Sequence, residues 1–280
     1  MIGAIGGDIA GSFREFSNNK HPELGTFPSL DMMTPEQVNE YGITDDSILT
    51  IATANAFLDG KTEVSDFANY YHAYGNKYNT PIGAYGSGFK KWLRSPDKQP
   101  YNSCGNGSAM RISPVAYFCS SIEEVLELAK NSASCTHDHP EGIKGAQSVA
   151  VRMWMNINQF PLEEINAMLV KHNLTYNSRT KPFMHFDATC QYSMQLVTGI
   201  FDKLEYNQWS YEHAVFKAVT LPNADSDTLG AIVGGIAETM YGMNDETENK
   251  IVSNQFFKDY PDLFKVVNEF LVYRNAKFVD

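Results

Sequence analysis

The stretch GAIGGDIAGS, residues 3–12, consists mostly of small residues, with glycine at positions 3, 6, 7 and 11. A second stretch, TLGAIVGGIAETMYG (228–242), has glycine at positions 230, 234, 235 and 242. Glycine inside a helix costs about 0.5–1 kcal/mol relative to alanine, so its repeated use needs a compensating contact. Small residues let two helix backbones approach closely. We therefore predict that both stretches are helices packed tightly in a buried centre.

A dinucleotide-binding glycine loop is the competing interpretation of residues 3–11. That motif requires a preceding strand and a crossover unit, and a stretch that begins at residue 3 has no room for the strand. The helical interpretation is therefore favoured.

Helical periodicity extends along the rest of the sequence. Apolar residues recur at i, i+3, i+4 and i+7 over 64–74, and SIEEVLELAK (121–130) and PLEEINAMLVKHN (161–173) carry helix-start signals. Weaker versions of the pattern cover 46–59, 141–158, 187–201, 211–220, 228–241 and 258–273. Polar segments 17–34, 95–106 and 173–183 are predicted loops. No alternating strand pattern is evident, so we predict an all-α protein, a compact orthogonal helical bundle forming one domain over residues 1–280.

Composition narrows the classes of function. The sequence has 33 acidic and 22 basic residues, a formal net charge of −11, which argues against a nucleic-acid backbone as partner. Its four cysteines are widely spaced, which argues against a thiol zinc site and suits a reducing cytoplasm. No segment approaches the roughly 18 apolar residues of a membrane span. The apolar start is a poor signal peptide because Asp8 interrupts it and no basic residues precede it.

Two acidic clusters each stand at the start of a predicted helix. The first is TDDS (44–47), and the second is ADSDT (224–228), about 180 residues later. Aspartate and threonine are common helix caps, and that interpretation stays open. One cap, however, needs only one acceptor. The surplus carboxylates indicate a bound cation.

Hard divalent ions such as Mg²⁺ and Mn²⁺ prefer oxygen ligands. The two clusters supply a set of such oxygens, from Thr44, Asp45, Asp46, Asp225, Asp227 and Thr228, and Glu15, just beyond the first glycine-rich helix, adds a seventh donor. This number of donors suits a central binuclear site, in which ions about 3.5–4 Å apart activate a water and orient the substrate.

Several motifs together resemble the ADP-ribosylglycohydrolases of the dinitrogenase-reductase-activating type. In order, they are GAIGGDIAGSFRE (3–15), TDDS (44–47), YGSGFKKWL (85–93), SCGNGSAMRISPVAY (103–117), CTHDHPEGIKGA (135–146) and ADSDTLGAIVGGIAETMYG (224–242). Each motif is weak alone, but six in the family's order form a specific pattern. The resemblance implies an all-α fold with a binuclear magnesium or manganese centre.

The resemblance also implies roles for individual residues. The metal ligands would be Thr44, Asp45, Asp46, Asp225, Asp227 and Thr228, and the catalytic residues Asp45, Glu15 and Asp227. Substrate would contact Glu15, Ser103, Gly105, Asn106, Gly107 and His137, with the glycine-rich loop around a diphosphate. His137 could instead be a histidine satisfied at a helix start. Arg111 could pair with phosphate or form a structural ion pair.

The sequence departs from the family pattern at several positions. Asn223 and Ala224 precede the second acidic motif, Ser226 stands between its aspartates, and Ser47 follows Asp46. No carboxylate is lost, so the metal site is expected to persist, whereas substrate preference is less constrained.

The implied function is metal-dependent hydrolysis that removes ADP-ribose from a modified acceptor by cleaving the bond at the anomeric carbon of the distal ribose. Two Mg²⁺ or Mn²⁺ ions would be the cofactors. The substrate would be an ADP-ribosylated protein or small molecule, with nucleic acid only as a modified substrate and no membrane partner. Three alternatives are an ADP-ribose-binding protein, a catalytically silent relative, and a metallohydrolase of another phosphorylated sugar.

Overall fold

The structure, a computed structural model, describes residues 1–16, 42–182, 184–203 and 210–278. Within these ranges the regular structure is helical. No strand forms in them, and β-type pairing is limited to two isolated bridges, Thr44 with Ile82 and Gly105 with Thr189. The predicted all-α class is confirmed.

The described ranges contain long helices joined by shorter ones. In chain order they are α1 (Ile2–Phe16), α2 (Asp45–Leu58), α3 (Val64–Lys77), α4 (Ser87–Arg94), α5 (Gly107–Met110), α6 (Val115–Phe118), α7 (Ile122–Ser134), α8 (Pro140–Ile157), α9 (Leu162–Lys171), α10 (Cys190–Asp202), α11 (Tyr211–Val219), α12 (Ser226–Tyr241), α13 (Asp245–Val252), α14 (Gln255–Asp259) and α15 (Pro261–Phe278).

Side-chain caps fix several helix starts where the sequence predicts them. Ser121 begins α7 by accepting a hydrogen bond from the backbone N–H of Glu124, as the predicted capping signal requires. Thr44 caps α2 in the same way through the N–H of Asp46. Pro161 stands one position before α9 as its cap residue, so that helix starts one residue later than predicted.

The glycine-rich stretches form α1 and α12, and these two helices pack directly against each other in antiparallel orientation. A Cβ atom placed on Gly3, Gly7 or Gly11 would overlap a backbone carbonyl of α12, at Gly234, Gly230 and Ser226 respectively. The converse also holds, because a Cβ on Gly230 or Gly234 would overlap the carbonyl of Gly7 or Gly3. These glycines are therefore required by backbone-to-backbone contact. The alternative of a dinucleotide-binding loop is wrong, since residues 2–16 are helical.

The closely packed pair lies in the protein interior. Along α12, residues 226–238 are all buried, and α2 is buried at nearly every position from 46 to 57. Because α1 contacts α2 and α12 contacts both, the first turns of α2 and α12 open into the same interior region. The hydrophobic core surrounds this region with side chains from both ends of the chain, such as Ile5 and Phe270.

The predicted loops have different outcomes. Residues 95–106 and 173–182 contain no helix, as predicted. The predicted loop 17–34 lies outside the described residues. Among the helices that the structure describes, none is both long enough and apolar enough to cross a membrane.

Candidate metal centre and substrate cleft

Carboxylates from three distant segments meet where α1, α2 and α12 converge. Oxygens of Asp8, Asp46 and Asp227 all lie within 4.8 Å of one another, and oxygens of Glu15, Asp225 and Asp227 form a second group of the same size. Asp227 belongs to both groups. The fold thus brings the two predicted acidic clusters together and places Asp227 between two potential cation positions.

This acidic region forms the floor of a cleft of about 430 Å³. All residues predicted to bind metal or substrate line the cleft except Thr44. The walls are aromatic and glycine-rich, and include Tyr85, Phe89, Tyr101 and Phe186. A cavity of this size with a few convergent polar groups is typical of a small-molecule site.

Glu15 belongs to α1, whereas the sequence placed it just beyond the helix. Its carboxylate accepts a hydrogen bond of 2.8 Å from the backbone N–H of Ser226, the first residue of α12. The end of α1 is therefore attached to the start of α12, and this contact holds Glu15 beside Asp225. The departure from the family pattern at Ser226 does not affect this hydrogen bond, because the donor is the backbone N–H.

Thr44 and Thr228 both approach the carboxylate of Asp46. The Oγ1 atoms of Thr44 and Thr228 lie 3.2 Å and 3.5 Å from Asp46 Oδ2. Thr228 faces the cleft, but Thr44 is fully buried beneath its floor and donates a 2.8 Å hydrogen bond to Asp8. Thr44 therefore links the buried Asp8 to the acidic cluster.

Asp8 is a site residue that the sequence analysis missed. It is fully buried on α1 and accepts hydrogen bonds from the backbone N–H and the hydroxyl of both Thr44 and Ser47. These four bonds fix the first turn of α2, from which Asp45 and Asp46 project. The sequence signal was a single acidic residue inside a helix otherwise suited to burial. From the sequence alone, this residue marks only an interruption of an apolar segment.

Replacing Asp8 with asparagine is expected to lower activity about 10- to 100-fold, as for other groups that orient metal ligands. The amide would replace one acceptor oxygen by an N–H₂ group, which disrupts the one hydrogen bond at Oδ1 or the three at Oδ2, depending on its orientation. Apparent Mg²⁺ affinity, measured by the rise in melting temperature, should weaken. Affinity and activity equal to those of the parent would rule out this orienting role. Asn244→Asp, an exposed helix cap, reports the effect of an amide–acid exchange elsewhere.

Burial and mutual repulsion disfavour the ionised form of the carboxylates on the cleft floor. Burial, followed by the charges of neighbouring aspartates, raises the pKa of Asp46 and of Asp227 well above the ordinary value. The same causes raise the pKa of Asp45 to about 8, and burial raises the pKa of Asp8 to about 6. Adjacent carboxylates in a buried site disfavour one another's ionisation. A cation would reverse that balance.

The donor set fits a hard divalent cation. Oδ1 of Asp46 is buried and has no hydrogen-bond partner among the described residues, which is costly for a carboxylate oxygen. Asp46 belongs to one group of carboxylates, Glu15 and Asp225 belong to the other, and Asp227 is shared by both. All the available donors are oxygens, which favours magnesium or manganese over softer metals.

The raised pKa values predict how stability depends on pH. The pKa is raised from 3.8 to about 6 for Asp8 and to about 8 for Asp45, so the folded chain binds these protons more strongly than the unfolded chain. Stability must then fall as pH rises through these intervals. In chelator we expect the melting temperature to decrease between about pH 6 and 8, where ordinary surface carboxylates are already ionised.

Excess Mg²⁺ should oppose this decrease, because a cation competes with protons and binds only the folded site. The rise in melting temperature caused by Mg²⁺ should therefore grow across the same interval, as followed by far-UV circular dichroism. A melting temperature in chelator that stays constant or rises with pH would contradict the electrostatic account of the floor.

The glycine-rich loop forms the wall beside the acidic floor. Its backbone is fixed by a 3.0 Å hydrogen bond from the N–H of Asn106 to the carbonyl of Ala188 and by the bridge from Gly105 to Thr189. The side chain of Asn106 donates to Ser193 at 3.0 Å and to Asp225 at 2.9 Å. Asn106 therefore orients a floor carboxylate, while Ser103, Gly105 and Gly107 line the cleft beside it.

His137 and Arg111 lie behind this loop. His137 is 5% exposed and reaches the cleft, and its Nδ1 lies 2.7 Å from the hydroxyl of Thr136. The cap of α8 is His139, so His137 lies two residues before the cap of that helix. Burial, and then the nearby charge of Arg111, lowers the pKa of His137 well below its ordinary value.

Sequence comparison identifies known proteins that resemble this chain. The ADP-ribosylglycohydrolase family model matches residues 1–245. The human ADP-ribosylhydrolase ARH3 is 31% identical over 176 residues, which cover 55% of this chain and 48% of the human protein. The ADP-ribosylarginine hydrolase Tri1 of Pseudomonas putida strain GB-1 is 23% identical over 270 residues, covering 87% of this chain and 70% of Tri1. The matched region thus spans about half the length of ARH3.

A solved structure described as an ADP-ribosylglycohydrolase-related protein complex has the same fold. It superposes with a TM-score of 0.66 at 16% identity, covering 96% of this chain and 96% of that one. At this identity the similarity concerns the fold alone.

Proposed function

The chain belongs to the ADP-ribosylglycohydrolase family, and on that premise we propose that it is a hydrolase that removes ADP-ribose from a modified acceptor. The bond cleaved would be the one at the anomeric carbon of the distal ribose, with two divalent ions, Mg²⁺ or Mn²⁺, as cofactors. The observation that carries this proposal is the shared position of Asp227 between two groups of carboxylates on the floor of a cleft.

The proposed ligands divide between two cation positions. Asp46, with its unpartnered Oδ1, and Asp227 would hold one ion, supported by Thr228 and by Thr44 beneath the floor. The other ion would be held by Glu15, Asp225 and Asp227. Asp45 projects from the same turn as Asp46 and could bind at either position. When bound, such ions polarise substrate oxygens and lower the pKa of water.

The chain's own carboxylates would move the proton in hydrolysis. As positive charge develops at the anomeric carbon, attack by water requires a base within hydrogen-bonding reach. Asp45 and Glu15 are the two candidates because both line the cleft. Glu15 Oε2 is already engaged by the N–H of Ser226, which favours Asp45 as base and leaves Glu15 to orient the ribose. Asp227, shared by the two groups of carboxylates, would fix the position of both ions relative to the substrate.

The glycine-rich wall suits the diphosphate of ADP-ribose. Gly105 and Gly107 leave the backbone open to close approach by phosphate oxygens, and Ser103 adds a hydroxyl. His137 closes this wall from behind. Tyr85, Tyr101 and Phe186 supply aromatic surface on the remaining sides of the cleft.

The proposal leaves open which acceptor group carries the ADP-ribose. Tri1 acts on ADP-ribosylarginine by its name, whereas the name of ARH3 specifies no acceptor. An assay should therefore compare arginine-linked, serine-linked and nucleotide-linked ADP-ribose, each with Mg²⁺, with Mn²⁺ and with chelator. Release of ADP-ribose that depends on the ion would support the proposal.

Each alternative has its own outcome in the same assay. A binding protein would retain ADP-ribose without releasing it from any acceptor, and a silent relative would do neither. Turnover confined to a phosphorylated sugar without an ADP moiety would identify a different metallohydrolase. Any of these results overturns the proposal.

A further inference from the structure

Arg111 is the largest fully buried side chain of the described residues, and its surroundings are unusual for a cation. No carboxylate in the described part of the chain forms an ion pair with it. Instead, its Nη2 donates to the carbonyl of Ser132 at 3.1 Å and to the hydroxyl of Thr136 at 2.7 Å. The guanidinium also lies over the ring of Tyr71, 3.9 Å from its centroid. The structural ion pair considered from the sequence therefore does not form among the described residues, whereas contact of Arg111 with phosphate stays a prediction.

Arg111 lines the back of the cleft but exposes none of its surface to solvent. Nε and Nη1 of Arg111 are inaccessible to solvent and have no hydrogen-bond partner among the described residues. A buried cation whose donors are left unpaired is unfavourable, so its retention beside a cleft needs a reason. The contact to Thr136 supplies one, because Thr136 leads directly to His137.

The three side chains form a chain of hydrogen bonds with a defined direction. A guanidinium can only donate, so the Thr136 hydroxyl accepts from Arg111 and must give its own proton elsewhere. Nδ1 of His137 lies 2.7 Å from this oxygen. The thiol of Cys135 also lies near the hydroxyl, but sulfur is a weak acceptor beside an imidazole nitrogen. Nδ1 therefore accepts, and the ring proton resides on Nε2.

Nε2 faces the glycine-rich wall of the cleft. A Cβ on Gly107 would lie 3.1 Å from Nε2, and one on Gly105 would lie 3.7 Å away, so both glycines keep the space beside this atom open. No described residue accepts a hydrogen bond from Nε2. Its donor is available to a ligand in the cleft.

We propose that Arg111 is a positioning residue which, through the hydroxyl of Thr136, holds His137 in the Nε2–H tautomer and so presents a fixed hydrogen-bond donor to an anionic oxygen of the substrate. The assignment of the tautomer is inferred from the hydrogen bonds of Thr136 and does not depend on the proposed function. Only the identification of the acceptor as a diphosphate oxygen rests on the proposed function.

The neutral state of His137 agrees with this arrangement. Burial and then the charge of Arg111 lower the pKa of His137 well below its ordinary value. A neutral imidazole has one donor and one acceptor, so its tautomer determines what it can recognise. With the opposite tautomer, Nε2 would carry a lone pair towards phosphate oxygens and repel them.

The first measurement is the side-chain ¹⁵N spectrum of histidine in the Mg²⁺-loaded protein, with the His137 signals assigned through His137→Gln. We expect a protonated, pyrrole-type Nε2 and an unprotonated, pyridine-type Nδ1. A protonated Nδ1, or two protonated nitrogens at neutral pH, would overturn the proposal. The tautomer itself is measured in the parent protein, and the substituted chain serves only to assign the signals.

The matched pair Thr136→Val and Thr136→Ser tests the connection. Valine has the shape of threonine without the hydroxyl, and should shift His137 towards a mixture of tautomers and weaken ADP-ribose binding about tenfold. Serine keeps the hydroxyl and should recover the Nε2–H signal. An unchanged tautomer in Thr136→Val would show that Arg111 does not act through Thr136.

Titration with ADP-ribose separates this inference from the proposed function. If ADP-ribose binds and the Nε2 signal of His137 moves, the donor role is supported. Binding that leaves the signal unchanged would overturn the donor role while leaving the proposed function intact. If ADP-ribose does not bind at all, the proposed function fails, and the identification of the acceptor fails with it.

Discussion

Replacing Asp227 with asparagine is expected to reduce ADP-ribose release on the order of a thousandfold or more. Asp227 is the one carboxylate shared by the two groups of potential cation ligands, so its loss weakens both positions. The amide keeps the size of the side chain and can still accept the 2.8 Å hydrogen bond from the N–H of Thr228. The local start of α12 should therefore survive.

Stability should change in the opposite direction from activity. In chelator, the Asp227→Asn protein should melt at the same temperature as the parent or higher. Burial and the charges of Asp46 and Asp225 raise the pKa of Asp227, so the substitution relieves like-charge repulsion. The rise in melting temperature on adding Mg²⁺ should shrink or vanish.

A matched control removes one negative charge away from the cleft. Glu127 is exposed on α7, and Glu127→Gln should leave both turnover and the response to Mg²⁺ unchanged. Asp227→Asn with parental turnover, or with a parental response to Mg²⁺, would be incompatible with a shared bridging carboxylate.

Replacing Gly7 with alanine is expected to cost more than about 3 kcal/mol, above the usual range for overpacking. The new methyl group would overlap the backbone carbonyl of Gly230, and backbone cannot move aside as a flexible side chain can. In an unpacked helix the same change would stabilise by about 1 kcal/mol, because alanine has the higher helix propensity. The sign of the effect is therefore diagnostic of the helix contact.

The measurement is the melting temperature, with an expected decrease of about 10 °C for a chain of this length. Gly86→Ala is the control, because Gly86 has φ −55° and a Cβ there would have no atom within 4 Å. That variant should melt within about 2 °C of the parent. A Gly7→Ala protein as stable as the parent would mean that α1 and α12 do not touch at this position.

Local patterns account for what the sequence could predict. The helical periods and the caps of α2 and α7 depend on neighbours within a few residues, and the structure has them nearly where expected. The glycine-rich stretches were correctly assigned to buried, close-packed helices because repeated glycine needs such a reason. Shared composition alone did not reveal that the partner of each stretch is the other.

The parts that the sequence could not predict depend on contacts across the fold. Asp8 hydrogen-bonds to residues 36 and 39 positions away, and nothing in its own helix specifies that partner. Thr44 belongs to the predicted acidic motif, yet its hydroxyl turns inward to Asp8. Arg111 forms no ion pair with the described carboxylates and donates instead to a hydroxyl 25 positions away. Spacing identifies the residue types of a site, but packing decides which way each side chain points.

The pairing of α1 with α12 has a consequence for biosynthesis. Glu15 and Ser226, which join the two helices, are 211 positions apart, so a ribosome completes most of the polypeptide before the second helix emerges. Until then, the early helices can form, but the acidic site lacks Asp225 and Asp227. Binding of the proposed metal ions would consequently be one of the last events in maturation, and translation products interrupted before that point would lack the stabilisation that such binding gives.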